Sequence, residues 1–80
     1  MNKYLLLKTT QYKYIAEFIS DEFNDNNKIK IKLFFEKYCN DNKWTKTTFI
    51  PYCTIQTNKI IKEYDTIEEI LIDIPELMLL

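Results

Sequence analysis

The chain has 80 residues, 46% of them hydrophobic and 29% charged, with a formal net charge of −1. It holds no histidine, no glycine and no arginine. This excludes an imidazole base poised near neutral pH, a glycine-rich phosphate loop and a bidentate guanidinium fork. The apolar content and near-zero charge exclude global disorder, and no apolar run approaches the roughly 20 residues that cross a membrane. Residues 1–80 read as one domain, cytoplasmic in a bacterial host, because the apolar run at Leu5–Leu7 is too short for a signal-peptide core.

Residues 3–8 predict a first strand, and Thr9-Thr10 offers a helix-capping signal after it. From Gln11 to about Asn24, Tyr14, Ile15, Phe18, Ile19 and Phe23 recur at spacings of three and four, which predicts a first helix ending at Asn24–Asn27. Lys28 to Leu33 alternates lysine with Ile29, Ile31 and Leu33 and predicts a strand. Asn40–Lys43 is a turn, and Trp44 to about Ile55 returns as a strand. A three-residue loop at Asp41–Lys43 would pair Phe35 with Phe49, Leu33 with Pro51 and Ile31 with Cys53. Pro51 cannot donate to a ladder and marks an edge strand or a bulge. A turn at Gln56–Asn58 leads to a last strand over 59–64. Asp65 or Thr66 then caps a second helix, whose stripe is Ile67, Ile70, Leu71 and Ile74 and which Pro75 ends or kinks. The expected fold is α+β: a small antiparallel or mixed sheet, β-α-β-β-β-α in order, with two helices packed on one face.

Three features bear on function. Lys28, Lys30 and Lys32 form a row, with Phe34, Tyr38 and Trp44 read as continuing the same face. Lysines interleaved with aromatics resemble a single-stranded nucleic-acid platform, although a solvated sheet face carries lysine equally well. Charge is also uneven. Residues 1–40 carry seven lysines against five acids, and residues 41–80 carry four against seven. Glu68, Glu69, Asp73 and Glu76 follow the last lysine and could steer the second helix onto a basic partner. Glu68 and Glu69 also suit a helix N-terminus without any partner. Finally, Trp44, Phe34, Tyr52, Ile72 and the tail Leu77–Leu80 are more large apolar groups than one helix-covered face hides, which points to an interface.

Nothing in the sequence converges as a catalytic set, a metal site or a cofactor site, and no small-molecule substrate is expected. The expectation is a non-catalytic module that binds a larger protein or nucleoprotein complex through Trp44, Tyr52, Glu68, Glu69, Asp73 and Glu76, with a homodimer as a further form. The alternative is a nucleic-acid binder using Lys28, Lys30, Lys32, Phe34 and Tyr38. In size, acidity and want of catalytic side chains the chain resembles accessory proteins of phages and mobile elements, anti-CRISPR proteins among them. That likeness of character implies an inhibitor of a host defence complex. The hairpin register sets Cys39 about 25 Å along the ladder from the partner of Cys53, beyond disulfide reach. Two thiols per chain should therefore react with Ellman's reagent in denaturant without reductant; a value near zero would establish a disulfide.

Overall fold

The computed structural model describes residues 2–21, 27–47 and 52–80. Among them are six strands: β1 (Tyr4–Lys8), β2 (Tyr12–Ser20), β3 (Lys28–Tyr38), β4 (Thr45–Lys46), β5 (Tyr52–Gln56) and β6 (Ile60–Tyr64). A 3-10 turn at Thr57–Lys59 joins β5 to β6, and a short helix, α1 (Ile67–Asp73), precedes a second 3-10 turn at Pro75–Leu79. Every ladder is antiparallel. The order is β4-β3-β2-β1-β6, with β5 lying against the same edge of β3 as β4. No helix among the described residues is long and apolar enough to cross a membrane.

Two helices packed on one face are not what forms. The segment read as the first helix contains β2, the central strand of the sheet, and among the described residues one α-helix remains. A strand covered on both faces loses its period-two signal and reads as a near-continuous apolar run. Here Ala16 is buried on one face and Ile15 on the other. Apolar neighbours of this kind mimic the three-and-four spacing of a helix. Thr9 misled for a related reason. Its hydroxyl accepts from the Tyr12 N–H at 3.1 Å, as a helix cap would, but its own N–H donates to the Tyr12 carbonyl at 2.8 Å and closes a hairpin. Phe23 and Asn24–Asn26 lie outside the described residues.

The returning strand is partly as expected. Ile31 opposes Cys53 and Ile29 opposes Ile55. Phe35 opposes Lys46 instead of Phe49. Between these two ladders β3 takes three steps, Phe35 to Lys32, while the returning chain takes six, Lys46 to Tyr52. The expected pairing of Leu33 with Pro51, and the edge or bulge role of that proline, fall outside the described residues.

Connectivity forces the sheet to curl. Between β5 and β6 lie β3, β2 and β1, so a flat sheet would hold them about 19 Å apart at the usual strand spacing. The four chain steps from Gln56 to Ile60 reach at most roughly 14 Å, and less when wound as a 3-10 turn. The sheet must therefore roll into a partly closed, staggered barrel. Its interior holds Leu5, Leu7, Ala16, Ile29 and Ile31, all essentially inaccessible, with Cys53, Ile55 and Ile60 packed against them from the two ends of the sheet. A second core lies on the outer face, where Tyr4, Ile15, Trp44 and Tyr64 meet Ile70 and Leu77 of the segment 67–80.

A register shift between Ile15 and Ala16 places one extra β3 residue, Phe34, between their partners Phe35 and Leu33. This bulge turns Phe35 to the outer face, so that it and Phe34 both pack against the outer core. Ile31→Ala should lower stability by about 2–5 kcal/mol in urea denaturation, as expected for truncating a buried isoleucine. Ile72→Ala, on a residue 79% exposed, should change it by less than about 0.5 kcal/mol. Equal losses would contradict the closed interior.

Candidate binding surfaces

Lys28, Lys30 and Lys32 project from the outer face of β3, where β5 sets Gln56, Thr54 and Tyr52 directly opposite them. Tyr52 is 49% exposed, and the Lys30 ammonium lies 5.1 Å from its ring centre. The Lys32 ammonium lies 5.7 Å from the ring of Phe34, and Glu17 opposes Lys32 from β2. The expected platform stops there. Phe34 is half-buried, its ring 6.4 Å from that of Tyr4 and overlaid by the Lys32 ammonium. Beyond the bulge the alternation reverses, so Tyr38 points to the opposite face from the lysine row. Its ring lies tilted against that of Tyr12, centroids 4.5 Å apart, and Tyr12 stacks on Tyr14 at 5.7 Å. A hydrogen bond with Tyr38, helped by loss of solvation, pushes the Tyr12 phenol up to about 12.

Sequence spacing alone did not mark Lys46. Because β4 meets β3 at Phe35, Lys46 shares the outer face with Lys32. The only hint in the sequence is the Phe34-Phe35 doublet, which breaks the alternation of the strand.

Trp44 cannot serve as a surface anchor in this fold. It is 4% exposed, set in the outer core with Tyr64 and Ile70, and covered by the Lys37 ammonium 5.7 Å from its ring centre. The acidic helix divides into structural and free groups. Thr66 is the N-cap and accepts from the Glu69 N–H at 3.3 Å, while the Glu69 carboxylate accepts from the Asp65 N–H at 3.1 Å. Asp73 pairs with Lys62 and accepts from the Tyr64 hydroxyl at 2.9 Å. The Lys62 bond, then the Tyr64 bond, hold the Asp73 carboxyl below its ordinary range. Burial, then the bond to Asp73, push the Tyr64 phenol up to about 12. Glu68 and Glu76 stand exposed.

The segment 67–80 turns only part of its apolar surface inward. Ile70 and Leu77 are buried, whereas Ile72, Met78 and Leu79 are 79%, 70% and 88% exposed. Among the described residues no three His, Cys, Asp or Glu side chains gather as metal ligands, and Cys39 and Cys53 are free thiols. The chain matches no family model, no curated protein and no solved structure.

The Lys62–Asp73–Tyr64 cluster gives a pH signature. Asp73 has its folded pKa below its unfolded value near 3.8, so its contribution is complete above that pH and is lost as pH falls through the folded value. Tyr64 has its folded pKa raised, so its contribution is complete below pH 10 and is lost as pH rises through about 12. In Asp73→Asn the acid-side loss attributable to this group should vanish. The Tyr64 titration, followed by its Cζ NMR shift, should also move down from about 12 toward 10. A Tyr64 titration unchanged in that variant would refute the coupling.

Proposed function

We propose that the chain is a non-catalytic protein-binding module that docks onto a larger protein or nucleoprotein complex through the exposed ridge of the segment 67–80. The observation that carries this reading is the exposure of Ile72, Met78 and Leu79 on a short segment that buries Ile70 and Leu77. Large apolar groups grouped in this way mark interaction surfaces. Glu68 and Glu76 beside them favour a partner with a basic rim, since rim carboxylates act on encounter rate and selectivity. Glu69 and Asp73 are occupied within the fold and contribute less. The character of the module fits a phage or mobile-element inhibitor of a host defence complex, anti-CRISPR-like in mode.

A second reading, binding of single-stranded nucleic acid, draws on one observation: exposed Tyr52 directly opposite Lys32, with Lys30 over its ring. Three lysine contacts would give a log–log salt slope of about −2 for a single strand.

The two readings separate in one experiment. The tagged chain is used as bait in bacterial lysate, with and without nuclease, beside an Ile72→Glu/Leu79→Glu variant whose melting temperature matches wild type. One stoichiometric protein should survive nuclease and be lost with the variant, at a cost of about 2 kcal/mol or more in affinity if these are anchor residues. Glu68→Lys/Glu76→Lys should weaken the same complex more at low salt than at high salt. Recovery of nuclease-sensitive nucleic acid alone, with the steep salt dependence above, would overturn the protein-binding reading in favour of the lysine face.

A further inference from the structure

Between the outer face of β3 and the segment 67–80 lies an open groove of about 740 Å³. Ile15, Phe34 and Phe35 line it from the sheet, and Ile70, Leu71 and Leu77 from the segment opposite. That volume falls in the range of pockets that take small organic ligands, roughly 300–1,000 Å³. The bulge at Phe34 builds its wall by bringing two consecutive phenylalanines to the outer face. Bulges of this kind recur where a strand must re-aim side chains at a site.

The charged groups of the lining are all of one sign. Lys32 and Lys46 line the groove, and among the described residues no carboxylate lines it. Among the described residues neither lysine is in an ion pair; the single ion pair is Lys62 with Asp73. Lys32 is held with its ammonium 5.7 Å from the Phe34 ring centre, its stem along apolar surface. The strand edge beside Lys46 is fastened by Thr47, whose N–H donates to the Phe34 carbonyl at 3.0 Å and whose hydroxyl donates to the Leu33 carbonyl at 2.9 Å.

We propose that this groove binds a small amphiphile, an apolar chain or ring system ending in an anionic head group. The apolar body lies between Phe34, Phe35 and Leu71, and the head group meets the ammoniums of Lys32 and Lys46. This site goes beyond the docking ridge and does not depend on it, because Ile72 and Leu79 are not among the lining residues. Selectivity resides in the head group. An uncharged or cationic amphiphile of equal length loses the charge-assisted contacts to the two ammoniums.

The test is calorimetric titration of the full chain with decanoate, decan-1-ol and decyltrimethylammonium, each below its aggregation concentration, with amide NMR shifts to locate binding. Decanoate should bind saturably at one site, about tenfold or more tighter than either other probe, a factor in keeping with hydrogen bonds to charged groups. The shifts should centre on Ile15, Phe34 and Leu71. Lys32→Gln/Lys46→Gln should weaken decanoate by a similar factor without changing the melting temperature. Equal affinities for the three probes would overturn the proposal, as would shifts confined to Ile72, Met78 and Leu79, an unaffected double variant, or no saturable binding.

Discussion

The fold depends on a connection that is too short. Three residues link β5 to β6, while three strands stand between them in the sheet. No planar sheet permits this, and a 3-10 turn reaches less far than extended chain. Rolling the sheet satisfies the connection and at the same time buries the middle of one face. The interior around Leu5, Leu7, Ile29 and Ile31 is therefore set by chain length as much as by hydrophobicity. Alternation along each strand then requires the other face to look outward, and that face carries the lysines of β3.

The chain achieves its curvature without glycine, the residue that most readily supplies bends. Three register shifts do this work instead, one between β1 and β6 and two between β2 and β3. Each adds local twist and changes which side chains meet a face. The shift at Phe34 matters most for the surface, because it separates Tyr38 from the lysine row and moves Phe35 beneath the C-terminal segment. Lysine, the only basic residue present, answers in turn by lying over rings, as Lys32 does on Phe34 and Lys37 on Trp44. Its long stem covers apolar surface while its charge stays in water.

The sequence was most readable where one face is buried and the other wet. The Lys28–Leu33 alternation named its strand, and it also set Ile31 against Cys53, because a one-step slip there would expose every isoleucine. The helix at 67–73 was equally plain from its cap and stripe. Reading failed where burial is two-sided or the ladder irregular. β2 is covered on both faces, so its spacing imitated a helix. Lys46 met Phe35 through a register that no local pattern announces. Trp44 was taken for an exposed anchor because a loop-proximal tryptophan gives no sign that a distant helix will cover it. Of the acids, Glu68 and Glu76 stand exposed, while Asp73 is claimed by Lys62 and Tyr64, eleven and nine residues earlier.

The exposed ridge and the apolar groove have a common origin in scale. A rolled sheet of this size leaves an outer face that one seven-residue helix and a 3-10 turn must cover. A small domain buries a smaller share of its surface than a large one, so cover of this kind is incomplete. Ile70 and Leu77 reach the sheet and hold the segment down, and the space beside them over Phe34 and Phe35 stays open. The outward residues of the same segment, Ile72, Met78 and Leu79, stay largely exposed. Apolar side chains in such positions add nothing to folding and raise the risk of aggregation. The proposed docking role would give these side chains, with the carboxylates beside them, a surface to meet outside the chain.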